Sequence, residues 1–328
     1  MRPRCVITVN GTPVAGLFWE KLIRVEVSDR EGSRSDSISL ELEDGPPHLA
    51  IPEPESIIRC WLGYDDGPFD YMGAFKVDDV DVDVLPYMMK IKGTAADLKE
   101  GLKEHRERHW DGKTLNDVFG EIASQNGLQA QIAPSIGSFQ YPWLAQQSES
   151  ALHFVNRIAE RHNGLFAIKD GKLIVSELGT GLSPGGAAIS SLTVTPDMIL
   201  QGTCSVSFGQ REKHGNVSGE YHDIATGERK RESEQGEGSS AGYVRRHGLS
   251  SKEEAKAAAK SRGKYLKRGG VRTAVQIEGN PYAKAGAPMS YAGVRPGVDG
   301  ISFIIEEARH VFSKSQGYRT SLNAKVKS

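Results

Sequence analysis

Cysteine is scarce in this sequence. Cys5, Cys60 and Cys204 are the only three, odd in number, far apart and without CxxC spacing, which argues against a disulfide framework and a cysteine-ligated zinc site. Long apolar runs are missing too. Nothing approaches the roughly 18 residues of a membrane-spanning helix, and the opening MRPRCVITVNG has no apolar signal-peptide core. These absences point to a chain made and folded in a cytoplasm, with no stable membrane insertion. Excess charge of one sign is also absent. A formal charge of −1 argues against bulk binding to nucleic acid or to an anionic membrane. Catalytic signatures do not occur either: there is no GxSxG and no Cys or Ser in a nucleophile context. GTGLSPGG, from Gly179, has the glycines of a phosphate loop but not its Lys-Ser/Thr. No catalytic residue, no cofactor and no metal site is predicted.

What is present is an ordinary globular composition. With 328 residues, 38% apolar and 25% charged, the chain can bury two or three cores. Charge is unevenly spread, however. Residues 1–100 carry about −8, whereas Arg211 to Arg272 is net basic, so distinct contact surfaces are expected.

Hydrophobic period divides the chain into three. Residues 1–93 read as short antiparallel strands: KLIRVEVSD and DSISLELED alternate apolar and polar residues, and Asn10-Gly11 is a hairpin signal. This spacing predicts a barrel or sandwich. The middle switches to helical period. KTLNDVFGEIASQNG gives a helix capped by Thr114, with Leu115, Val118, Phe119 and Ile122 on one face. SESALHFVNRIAERHNG gives a second, capped by Ser148 or Ser150, with a stripe of Leu152, Val155, Ile158 and Ala159 ended by Asn163-Gly164. A hairpin turning at Asp170-Gly171 follows, completing a small α+β module. GTGLSPGGAA reads as a linker, after which strands resume, with a third helix near 251–267 capped by Ser250 or Ser251. The polar GERKRESEQGEGSSAG, Gly227 to Gly242, reads as a mobile loop that orders on contact with a neighbour. The predicted boundaries are 1–105, 106–182 and 183–328.

Three clusters carry charge of possible chemical use. In FKVDDVDVDV, Asp79, Asp81 and Asp83 share one strand parity, while Val80, Val82 and Val84 share the other. An EF-hand would need a glycine at its sixth position and a closing Glu, both missing here, so the row reads as a solvated strand face. Phe75 and Val77 fall on the aspartate parity, which predicts a bulge near Asp78. His105 and His109 of HRERH would share one side of a helix, a metal-binding geometry, but the flanking arginines favour an exposed charged segment. The bases of ERKRES and VRRHG alternate with acids and lack stacking aromatics, so they read as solvated.

One stretch is more specific. QSESALHFVNRIAERHNGLFAIKDGKLIVSELG resembles a motif of the phage late control D proteins and the related VgrG spike proteins, through Glu149, Ser150, Leu152, Phe154, Val155, Arg157, Ile158, Ala159, Gly164 and Phe166. EGNPYAKAG resembles the strand connection of that family, and EEARHVFSKSQGYRTSL its closing strand pair, through His310, Gly317, Tyr318 and Thr320. The resemblance implies a mainly β fold in which two tail-tube-like antiparallel β-barrels flank a small α+β domain. It implies a baseplate hub of a contractile phage tail or tailocin, made in the host cytoplasm and carried in the virion. It further implies a homotrimer whose six barrels form a pseudo-hexameric ring between the hexameric tail tube protein and the trimeric central spike protein. Other baseplate proteins and a tape-measure protein would be neighbours, with DNA only in transit. Since the chain stops at Ser328, lysozyme and long spike extensions are expected to be absent. Under this reading Asp79, Asp81 and Asp83 would line the lumen as acidic rings. The rival readings are a tail-tip cell-wall hydrolase or glycan-binding protein, and a cargo-bearing secretion spike.

Overall fold

The computed structural model describes residues 2–31, 36–96, 100–169, 171–181, 189–209, 215–223, 226–235 and 242–327. Strands dominate. Pro3–Val9, Thr12–Pro13, Leu22–Arg30, Ser37–Glu43, Ile57–Tyr64, Phe69–Val84 and Tyr87–Ala95 form a first β half. Leu192–Val194, Ser205–Phe208, Val271–Glu278, Pro288–Tyr291, Phe303–Ser313 and Gly317–Val326 form a second. The halves are not separate sheets. Among the described residues they hydrogen-bond into one 13-stranded sheet, joined where Phe303–Ser313 runs antiparallel to Leu22–Arg30 with His310 opposite Val27.

The alternation in the sequence sets which face is buried. Ile38, Leu40 and Leu42 point inward while Ser37, Ser39 and Glu41 do not, as a one-sided sheet requires. Each half has its own core. Ile7, Val25, Leu40, Ile58 and Phe75 belong to the first; Val194, Ile277, Tyr291, Phe303 and Leu322 belong to the second. Tyr318 comes from the second half yet packs in the first core. Asn10 and Gly11 take positive φ and turn the first hairpin as expected.

Five helices complete the described elements: α1 (Leu17–Lys21), α2 (Leu115–Gln125), α3 (Pro134–Gly137), α4 (Ala151–Arg161) and α5 (Lys252–Gly269). The module between the β halves has a two-stranded ribbon, His105–Thr114 with Gln140–Ser150. It also has a three-stranded sheet of Gly164–Lys169, Lys172–Glu177 and Gln129–Ile132, the last strand parallel to its neighbour. Leu115, Val118, Phe119 and Ile122 of α2 meet Phe154, Val155 and Ile158 of α4 in its core. Leu152, placed in the helix stripe, is only partly buried against it. Thr114 caps α2 in a capping box with Asp117. Ser150, not Ser148, caps α4, and Ser251 caps α5.

Two readings need correction or placement. Glu228–Gln235 is a strand, not a mobile loop. It pairs along its length with Asn216–Asp223, and α5 packs against both strands. Its alternating charges misled because a charged edge strand and a solvated loop have similar composition; here Lys230 pairs with Asp223 and Arg231 with Glu220 across the strands. The ordering-on-contact reading therefore fails for 228–235, while 236–241 lie outside the described residues. So do Asp170 of the expected hairpin turn and 182–188 of the expected linker. The boundary expected at 105 falls on the first residue of the ribbon.

Candidate assembly interface

The aspartate row lies on Phe69–Val84, the longest described strand. The register slips between Val77 and Asp79, so Asp78 is the bulge that the parity of Phe75 and Val77 required. Beyond the bulge Asp79 faces Lys92 and Asp81 faces Lys90. Lys92 Nζ lies 2.7 Å from Asp81 and 3.5 Å from Asp79, and its hydrogen bond holds the Asp81 carboxyl below the usual range. Lys90 in turn faces Glu41, which faces Arg24. The row is thus one end of a mixed-charge ladder across the outer sheet face, which a strand-by-strand reading cannot show. Only at the tip does the pattern change. There Asp83 faces Met88, and Val82, Val84 and Leu85 are 41%, 69% and 81% exposed. The hairpin runs past the core it grew from, so its valines, expected to face the interior, end in solvent.

The residues that carried the family resemblance hold the module together. Arg157 Nε donates to Glu149 at 3.1 Å, its Nη2 donates to the same carboxylate, and His153 Nδ1 lies 2.6 Å from it. Burial opposes the Glu149 charge, but these hydrogen bonds hold its carboxyl below the usual range. The ion pair ties the ribbon strand to α4. Phe154 stacks on Trp110 with centroids 5.3 Å apart. Gly164 follows α4 so closely that a Cβ would stand 2.9 Å from both the Ala159 carbonyl and Ile136, which explains the glycine.

The closing strand pair forms a second cluster. His310 is fully buried; its Nε2 donates to the Ala283 carbonyl at 3.0 Å, and its Nδ1 accepts from the Tyr318 hydroxyl at 2.8 Å. Thr320 Oγ1 sits 3.2 Å from the same Nδ1 and accepts from Asn280 N–H. Burial pushes the His310 pKa down to about 4, so the ring stays neutral and serves the strand connection. Gly317, with φ of 70°, makes the turn between the strands.

Sequence reasoning missed the contacts that join the three parts. Lys169, at the end of a module strand, reaches Asp29 at 2.7 Å and Asp36 at 2.9 Å in the first half. Arg161 of α4 pairs with Glu254 of α5, a fully buried acid that also accepts from Ser250 N–H and Oγ, each at 2.7 Å. Ser261 and Arg268 of α5 bond Asn163 at 3.1 and 3.2 Å. These partners are 93 to 140 positions apart, and no local pattern marks them.

His105 and His109 are both exposed on a strand, with His109 3.6 Å from Asp111. Among the described residues no group of His, Cys, Asp and Glu could hold a metal ion, and no helix is long and apolar enough to cross a membrane. The arrangement is one of exposed sheet faces and a projecting hairpin on a body cross-braced by buried polar contacts.

Comparison with known proteins agrees with that picture. The family model of the phage tail baseplate hub (GPD) matches residues 74–316. A probable baseplate hub protein of Escherichia phage P2 is 28% identical over 195 residues, 60% of this chain and 50% of its own; the chain thus matches about half the length of that relative. The fold is similar to the 43 kDa tail protein of prophage MuSo2 from Shewanella oneidensis, with a TM-score of 0.68 and 13% identity over 98% of each chain. It is also similar to an E. coli component of the type VI secretion system, with a TM-score of 0.59 and 10% identity over 98% of this chain and 77% of the other.

Proposed function

Because the chain belongs to the phage tail baseplate hub family, we propose that it acts as a structural ring in a contractile tail, without catalysis of its own. Three copies would supply six β halves, continuing a hexameric tube protein on one side and seating a trimeric spike protein on the other. The carrying observation is the single sheet that runs through both halves. Two β units fixed rigidly in one chain are what a threefold assembly needs to present six similar positions. The braces through Lys169, Arg161 and Arg268 favour the same reading, since a part that transmits load between tube and spike must not flex between its units. The projecting tip at Val82, Val84 and Leu85 is a candidate contact with a neighbouring subunit, as clustered exposed apolar residues suggest.

Baseplate neighbours and a tape-measure protein complete the proposed partners, with DNA passing through the lumen. The place of assembly would be the host cytoplasm and the place of work the tail baseplate. Native mass measurement tests the ring. The expected species is three times the 35.7 kDa chain, alone or as a 3:3 complex with the spike protein; a monomer under both conditions would count against it. The aspartate row is proposed to face the lumen, where Asp79, Asp81 and Asp83 would repel passing DNA, softened by Lys90 and Lys92. Density for an assembled ring that puts this strand face on the outer wall would sink that assignment.

A further inference from the structure

A cleft of about 1020 Å³ opens where α4, α5 and the sheet junction meet. Four bases line it, and three have partners: Arg30 reaches Glu307 at 2.7 Å, Lys325 reaches Glu306 at 2.6 Å, and Arg268 donates to Asn163. The fourth, Arg262, differs. Its guanidinium lies 4.7 Å from the ring centroid of Tyr243 and 4.7 Å from that of Tyr265. Its Nε is buried with no hydrogen-bond partner, and among the described residues it makes no ion pair. An unmatched buried donor in a native structure calls for an explanation. A guanidinium held between two rings is already ordered, so little rotamer freedom remains to be lost on binding. Its fork of N–H groups matches a carboxylate.

We propose that this cleft docks a short acidic segment of another protein, with a carboxylate on Arg262 between the two tyrosines. The lining favours a polypeptide over a nucleic acid. Glu31, Glu160, Glu306 and Glu307 would repel a row of phosphates, whereas one carboxylate directed at Arg262 avoids them. Phe166 and Leu165, also in the lining, offer apolar contact to flanking side chains. The inference does not require a trimeric ring, so the two stand or fall separately.

The test is fluorescence anisotropy of the full chain with a labelled peptide, Gly-Ser-Leu-Asp-Gly-Glu-Leu-Ser-Gly, against the same peptide carrying Asn and Gln. The acidic peptide is expected to bind at least about tenfold more tightly. Arg262→Gln should remove that difference while leaving the melting temperature within a few degrees, since the guanidinium satisfies no other protein group; Arg262→Lys should restore only part of it. Tyr265→Phe, which keeps the ring, should bind as the parent does. No binding of the acidic peptide, equal binding of both peptides, or binding unchanged in Arg262→Gln would overturn the proposal. So would a labelled ten-nucleotide oligothymidylate that binds more tightly than the acidic peptide, or a large loss of thermal stability in Arg262→Gln.

Discussion

Arg161→Met is expected to lower stability by about 3–5 kcal/mol, because it leaves a buried carboxylate without its counter-charge. Glu254 keeps 1% of its side-chain surface in solvent and Arg161 14%, so water cannot replace the lost partner. The hydrogen bonds from Ser250, and that from Tyr141 at 3.3 Å, would remain but carry no full positive charge. Burial already pushes His162, beside Tyr141, down to about 4, so it would not supply a proton near neutral pH. The damage should be local first, loosening α4 from α5. Amide exchange is expected to accelerate across both helices and little in the first β half, with a lower denaturation midpoint. The double variant Arg161→Met, Glu254→Leu should recover much of the loss, since removing both charges also removes the desolvation cost. A single variant with unchanged exchange and midpoint would show that the pair does not brace the module.

That brace also marks the limit of what the sequence made legible. Period and caps are local, and they were readable. Thr114 with Asp117, the Val and Asp parities after Phe75, and the turn at Asn10-Gly11 each follow from neighbours within a few positions. The bulge at Asp78 followed from a clash of parities on the same strand. What was missed depends on distant partners. Arg161 and Glu254 look like helix-surface charges until α4 and α5 are packed, and Lys169 looks like a hairpin end. Lys90 and Lys92 neutralise much of the aspartate row only because the two strands are in that register. Glu228–Gln235 was hidden differently, since its strand character comes from backbone pairing and not from β-favouring side chains. The family resemblance rested on residues whose roles are structural. Glu149 with Arg157, Gly164, and His310 with Tyr318 and Thr320 maintain the module and the closing strands; they do not form a reactive site.

Lys169→Met should produce a defect that shrinks as pH falls. In the parent protein the ammonium is shared by two acids from the first β half, Asp29 and Asp36, each with 15% of its side-chain surface exposed. Burial disfavours the Asp29 charge, but Lys169 and the Ala285 N–H together hold its carboxyl below the usual range. Asp36 behaves oppositely. Burial, and then the charge of Asp29, push it up to about 6. The folded chain therefore binds a proton at Asp36 more tightly than the unfolded chain does, and this group's contribution to stability grows as pH falls from about 6 toward 4. Removing the ammonium raises both acids further, so the variant should take up protons at higher pH and gain more from acidification than the parent. Lys169 itself keeps 38% of its side-chain surface in solvent. Screening reduces the expected loss at pH 8 from that of a fully buried pair to about 2 kcal/mol. Melting temperatures of both proteins between pH 8 and pH 5 check this. The curves should converge toward the acid end; parallel curves would mean that the Asp29–Lys169–Asp36 bridge does not link the module to the first β half electrostatically.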